Sequence, residues 1–319
     1  MTPQIDARNT SATAARMGEA AERFLDSLSP DQRDKSAFEF AQQQERTRWF
    51  YTPVTREGLP LSEMDRHQQR LAHQLVSTGL SRAGYSTAST IIGLETTLDA
   101  LESWRRAQPG RDPRLYYVSL FGTPDAREPW GWRFEGHHIS LNYTLAGGQI
   151  LSPTPTFFGS NPAETSLGSV GTLRPLGGVE DLARELMHAL DPSQCTAAIL
   201  APFAPSDIIL TNQPKVVEGT LPAANDLSPA QQEALRYTRV PQGLAAEAMQ
   251  PDQREILVAL VGEYIHRMPD EVAEIEMAEL QRRGIQGVHF AWAGGLERQQ
   301  GHYYRIHGPR FLVGYDNTQ

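Results

Sequence analysis

The residues with the most chemistry in them form one run, Gly131-Trp132-Arg133-Phe134-Glu135-Gly136-His137-His138-Ile139-Ser140-Leu141-Asn142. Read as a single extended strand, Trp130–Asn142 sends alternate side chains to opposite faces. His138, Ser140 and Asn142 then make a polar row beside Trp132, while Arg133, Glu135 and His137 share the other face. A buried polar row is costly unless its partners are supplied. It therefore reads as the floor of a site, with Glu135 and His138 as catalytic groups and Trp132 and Asn142 as substrate contacts. Gly136 lets a backbone or a ligand approach closely. The plain alternative is one packed histidine and one on the surface.

A second set lies near the end of the chain: His289, His302 and His307, with Arg305 two residues before His307, and Asp316 beyond. Imidazoles and a carboxylate brought together from neighbouring strands suit Zn²⁺, Fe²⁺, Mn²⁺ or Cu²⁺. His137, His138, His307 and Asp316 are thus candidate metal ligands, a divalent ion is the expected cofactor, and Arg305 is a candidate catalytic charge. No compact ligand motif such as His-Glu-x-x-His is present. Arg48, with Trp49, Tyr51, Pro53 and Arg56, can line a pocket by arginine–aromatic stacking, and Trp292 is a further candidate substrate contact. Glu180, Asp181, Arg184 and Glu185 read as a solvated helical face with i,i+4 pairing. Phosphate-loop, dinucleotide and nucleophile-elbow signatures are absent. Cys195 is the only cysteine, which excludes an intrachain disulfide and a cysteine metal site.

The elements that must position these groups come in blocks. Residues 1–16 read as a loose arm. Helical spacing follows, as in Ile91, Leu94, Leu98 and Leu101, and Ser29-Pro30-Asp31-Gln32 carries a capping signature. Asp191-Pro192-Ser193-Gln194 and Ser228-Pro229-Ala230-Gln231 repeat it, and Ser62-Glu63-Met64-Asp65 is a weaker version. Strand-like segments cluster at about residues 115–151 and 287–316, and helices fill 17–106 and 179–283. Residues 202–226 read as a surface crossing. Clustered rather than alternating strands indicate an α+β fold with a mostly antiparallel sheet. The expectation is one α+β domain over 17–319, the last strand block pairing with the first to close one sheet.

Bulk composition narrows the partners. The net charge is −9, from 29 basic and 38 acidic residues, and no basic stripe forms. Nucleic acid and membranes are therefore not expected partners. No apolar run reaches the roughly 18–20 residues of a membrane helix, and no secretory signal is visible, so a cytoplasmic location is expected. A small-molecule substrate or ligand remains the expected partner; oligomeric state is not readable.

Several blocks closely resemble the bacterial and fungal family called domain of unknown function 3500. They are Arg48-Trp49-x-Tyr51-x-Pro53-x-x-Arg56-x-Gly58-Leu59, the Glu-Gly-His-His run itself, Thr154-Pro155-x-Phe157-Phe158-Gly159-x-Asn161-Pro162, Glu180-Asp181-Leu182-Ala183-Arg184, His289-Phe290-Ala291-Trp292-Ala293-Gly294 and Tyr315-Asp316-Asn317-Thr318-Gln319. The resemblance supplies no activity. It implies that relatives continue past the last block into an Asn-His-x-His segment, which this chain lacks. If the family site is metallic, those histidines are further ligands.

Three functions follow as expectations. The first is a metal-assisted hydrolase or oxidoreductase acting on a small organic molecule. The second is a metal-free enzyme using histidine and carboxylate as acid and base. The third is a binding protein whose cleft is lined by Trp130, Trp132, Trp292 and Tyr303.

Overall fold

A computed structural model describes residues 10–105, 111–124, 127–222 and 227–317. The chain divides into two compact units, Met1–Leu176 with Ile265–Glu276, and Gly177–Tyr264 with Met277–Gln319.

The first unit opens with α1 (Ser11–Asp26), whose buried Ala14, Met17, Ala21 and Phe24 recur at intervals of 3 and 4. The helix thus starts at Ser11 rather than near Met17. Thr13 is already buried there, and its N–H donates to Glu271 Oε2 at 2.9 Å. Residues 10–16 are therefore not a loose arm, and residues 1–9 lie outside the described residues. Next come α2 (Pro30–Ser36), β1 (Ala37–Phe38), α3 (Gln43–Thr47), β2 (Leu59–Pro60), α4 (Arg66–Thr78) and α5 (Arg82–Leu101). Ser29 and Gln32 cap α2 reciprocally, as the sequence indicates. The box expected at Ser62 forms three residues later, between Asp65 and Gln68. Asp and Gln supply the same acceptors as Ser and Glu, and Ser62 falls in a short 3₁₀ turn.

The strands of this unit are β3 (Tyr117–Phe121), β4 (Trp130–Glu135), β5 (Ile139–Ala146), β6 (Gln149–Ser152) and β7 (Thr156–Phe158), followed by a small ribbon, β8 (Thr165–Ser166) and β9 (Thr172–Leu173). A seven-stranded sheet runs in the order β1-β3-β4-β5-β6, with β2 on β3 and β7 on β5. All its pairs are antiparallel except β1 with β3. Helices α1, α4 and α5 cover it, burying Trp132, Phe134, Leu141 and Tyr143 against Met17, Leu75 and Ile91.

The second unit contains α6 (Gly177–Ala189), α7 (Pro192–Ala198), β10 (Ile199–Ala201), α8 (Pro229–Leu235), β11 (Leu244–Ala245), α9 (Pro251–Ile265) and, in its C-terminal part, α10 (Asp270–Arg283). The strands β12 (His289–Gly294), β13 (His302–His307) and β14 (Leu312–Asn317) complete it. Asp191–Gln194 and Ser228–Gln231 form complete capping boxes for α7 and α8. Its sheet is five-stranded, ordered β10-β12-β13-β14 with β11 on β12. The fold is α+β with mostly antiparallel pairing, as expected, but the two strand blocks do not close one sheet. Each block finds its extra partners in short local strands instead: β1, β2 and β7 for the first, β10 and β11 for the second. Among the described residues no helix is long and apolar enough to cross a membrane.

Candidate functional site

The Glu-Gly-His-His run is not one strand. It is a β-hairpin, β4 paired to β5 from Glu135↔Ser140 outward, with His137 and His138 at the tip. The Gly136 N–H donates to the Ile139 carbonyl at 2.9 Å, closing the turn. His138 sits at φ 65°, a left-handed conformation in which histidine is enriched among non-glycine residues. That conformation costs on the order of 1–2 kcal/mol. Hydrogen bonds hold it, from the His138 N–H to the Tyr51 carbonyl (2.9 Å) and from the Gly159 N–H to the His138 carbonyl (2.7 Å). Gly136 has no room for a side chain, because a β-carbon would run into the Tyr116 ring. Alternation of faces therefore stops at Glu135, and the expected His138–Ser140–Asn142 row is broken.

The turn delivers His137 to a buried carboxylate. His137 Nδ1 lies 2.6 Å from Glu95 Oε1 on α5, and the two side chains are 10% and 5% exposed. The Tyr116 hydroxyl donates to the His137 carbonyl at 2.5 Å and approaches Glu95 Oε1 at 3.4 Å. Burial, then the Glu95 charge, holds the Tyr116 hydroxyl well above the usual phenol range, so it stays a donor. On the other side of the ring, Arg111 Nη1 is 3.5 Å from His137 Nε2. A guanidinium only donates, so Nε2 is the lone-pair nitrogen and Nδ1 carries the proton toward Glu95. Arg111 is itself fixed by Glu102, which accepts from its Nε at 3.0 Å and from its Nη2 at 2.6 Å.

His138 stacks on His137, ring centroids 3.7 Å apart and tilted 30°. Burial first, then the neighbouring His137 and Arg111, lowers its pKa to about 3, so it is a neutral ring near neutral pH. Beyond it, Tyr51 and Phe157 stack at 4.5 Å.

The other expected site residues have different surroundings. Glu135 is buried, 3.1 Å from Arg133 Nε and 3.9 Å from Arg56 Nη1, and accepts the Phe50 N–H at 2.7 Å. Burial raises its pKa against the pull of Arg133 and Arg56. Arg56 in turn binds the Val54, Phe50, Thr52 and Gly136 carbonyls, so this network ties the 48–56 segment to the hairpin. Asn142 Nδ2 donates to Ser140 Oγ at 3.1 Å and to the Pro155 carbonyl at 2.9 Å. Arg48 is exposed and pairs with Glu45. Trp132 is 1% exposed and stacked on Tyr143 at 4.8 Å.

Trp292, Arg305, His307 and Asp316 belong to the second unit's sheet. Arg305 is buried and donates to the Leu235 carbonyl (2.6 Å) and the Tyr303 hydroxyl (2.8 Å). His307 stacks on Tyr237 at 5.4 Å, and burial, followed by Arg305 and His289, lowers its pKa. Asp316 accepts the Ile209 N–H at 3.1 Å, and burial raises its pKa to about 7. Trp130, Trp132, Trp292 and Tyr303 are all at most 2% exposed, so they pack cores and do not line the expected cleft.

The structure brings His137 and His138 together with Glu95, all in the first unit, while His307 and Asp316 belong to the second. Their rings lie face to face instead of fanning toward a common point. No group of three or more His, Cys, Asp or Glu side chains able to hold a metal ion forms among the described residues. Two surface clefts, one apolar beside Val258 and Ile285 and one polar beside Gln32 and Gln68, hold none of these groups.

Sequence reading missed Glu95, Tyr116, Arg111 and Glu102. The signal for Glu95 was available: it follows Ile91 by four and precedes Leu98 by three, an acid set inside the apolar stripe of α5.

No curated protein and no solved structure matches the chain. A family model matches over residues 10–319, and by it the chain belongs to the family described as protein of unknown function, DUF3500.

Proposed function

We propose that this protein is an acid–base enzyme acting on a small organic molecule, with His137 as the proton-transferring group. The observation that carries the reading is the buried 2.6 Å contact between Glu95 and His137 Nδ1, which leaves Nε2 turned toward Arg111. A carboxylate behind an imidazole fixes its tautomer and orientation and stabilises the imidazolium that forms. When the substrate takes over the Arg111 N–H, His137 Nε2 is released to accept a proton from water or from an acidic C–H of the substrate. The Arg111 guanidinium, anchored by Glu102, lies where it can balance negative charge developing beside that proton. Positioned general bases of this kind contribute about 10²–10⁴-fold. His138, kept neutral and stacked on His137, adds no competing positive charge. The second-unit residues take no part in this reading. A cytoplasmic setting also belongs to the proposal, supported by the single unpaired Cys195.

The test is a turnover screen over small esters, lactones, amides and α-keto acids, with His137→Gln as the comparison and with chelator present. The expected result is an activity that survives chelation and is lost in His137→Gln. Activity indifferent to His137 overturns the proposal. Activity removed by chelator and restored by Zn²⁺, Fe²⁺, Mn²⁺ or Cu²⁺ replaces it with metal-assisted chemistry.

A further inference from the structure

Charge is buried in this protein where some rings are not. Glu180 and Arg184 on α6, which the sequence suggests as a solvated face, are 9% and 6% exposed and pair at 3.0 Å. Around the His137 turn the reverse holds. His138, Tyr51 and Phe157 are each half-buried, so each keeps some surface in solvent. Tyr116, Trp132 and Phe134 of the same unit are at most 1% exposed. Aromatic surface left in water forgoes the burial gain that those rings take.

The half-buried rings make one continuous surface. Tyr51 and Phe157 lie nearly parallel, centroids 4.5 Å apart at 23°, and Trp49 backs both at 5.8 and 6.1 Å. Gly159 joins them to the histidines. A β-carbon there would come within 3.0 Å of Phe157 Cε1 and 3.2 Å of His138 Cδ2. Both rings thus pack on the same bare stretch of backbone. His138 lies in turn on His137, 3.7 Å away at 30°. Two hydrogen bonds fix these parts to one another, the His138 N–H to the Tyr51 carbonyl and the Gly159 N–H to the His138 carbonyl. A run of rings therefore leads from Tyr51 to His137, whose Nε2 faces Arg111 Nη1 at 3.5 Å.

The two ends of this run call for different chemistry. Offset-stacked aromatic pairs gain beyond the area they bury, so near-parallel rings extend best to another flat ring. At the other end the Arg111 guanidinium only donates, so the group that meets it is an acceptor. Tyr51, Phe157 and Trp49 carry no formal charge, so the ring laid on them needs none.

We propose that the substrate of the His137 site is an aromatic carbonyl compound, its ring laid on the His138–Phe157–Tyr51 surface and its carbonyl oxygen taking the Arg111 Nη1 N–H. This rests on the reading of His137 as the proton-transferring group. A ring conjugated to its carbonyl holds both in one plane, so stacking the ring also aims the oxygen. Phe157 and Tyr51 are then specificity-determining residues, not catalytic ones.

The probes are methyl benzoate and methyl cyclohexanecarboxylate, which share a carbonyl and differ in the flatness of the ring. Binding of each to the intact protein is followed by ligand-observed NMR titration. The expected result is that methyl benzoate binds about 3- to 10-fold more tightly. Phe157→Leu, which keeps apolar bulk without a ring, erases that preference, and His137→Gln keeps it. If Phe157→Leu fails to fold, the wild-type preference decides the question. Equal binding of the two esters, binding of neither, or a preference retained in folded Phe157→Leu would each overturn the proposal. Turnover that depends on His137 without any ring preference strikes this inference alone. A ring preference beside turnover indifferent to His137 strikes the proposed function and leaves the aromatic surface standing as a binding site.

Discussion

Glu95 Oε1 and His137 Nδ1 meet at 2.6 Å across a sequence separation of 42 residues. One sits in the middle of a helix and the other at the tip of a hairpin. Replacing Glu95 with Gln keeps a carbonyl that can accept from Nδ1–H but removes the charge that steadies the imidazolium. The expected outcome is a turnover loss of about 10²–10⁴-fold with the fold retained, checked by kcat on a substrate from the screen beside a thermal melt.

The turn that presents His137 is held by Tyr116. Tyr116→Phe removes the donor to the buried His137 carbonyl and should lower stability by about 1–3 kcal/mol. Gly136→Ala pushes a β-carbon into the same ring and should cost a similar about 1–3 kcal/mol. Urea unfolding of both variants measures this, and values near zero would mean the turn is not anchored as described.

His138 should make stability depend on acid. Its pKa is about 3 in the folded protein, against roughly 6.5 for an ordinary imidazole. Between those values the unfolded chain binds a proton that the folded chain refuses. Stability therefore falls as pH drops through that window, by at most about 1.4 kcal/mol per pH unit from this group, and is flat above it. His138→Asn tolerates the left-handed backbone and should flatten the slope in urea titrations across the window.

Asp316 works in the opposite sense. Its folded pKa is about 7, so the folded protein keeps a proton that the unfolded chain releases above the ordinary carboxylate value near 4. Stability from this group is fully present below that value and is lost as pH rises toward about 7. Asp316→Asn should raise the melting temperature relative to wild type at alkaline pH and leave the difference small in acid. A variant without that gain would place Asp316 in water.

Helix starts were legible because capping is local chemistry: Ser29, Asp191 and Ser228 each carry their partner glutamine three residues on. The strand blocks were legible from β-forming runs. The hairpin was not, because its turn has none of the Asn-Gly or Asp-Gly pairs that announce one. His138 takes the left-handed position instead, held by Tyr51 and Gly159 from other parts of the chain. His137 was found, since a histidine pair draws attention. Glu95 and Arg111 were not, because only tertiary packing brings them to its ring. Glu135, the acid nearest in sequence, is taken up by Arg133 and Arg56.

Residues 265–276 belong with the first unit although they follow most of the second in the chain. Val272 packs into the first unit's apolar core, and Glu271 receives the Thr13 N–H at the start of α1. During synthesis the amino-terminal half therefore leaves the ribosome without its closing piece. Its layer of helices must wait, partly uncovered, until the start of α10 emerges. A fragment ending at Leu176 is expected to expose the Val272 seat and aggregate, and supplying a peptide spanning 265–283 should restore its solubility.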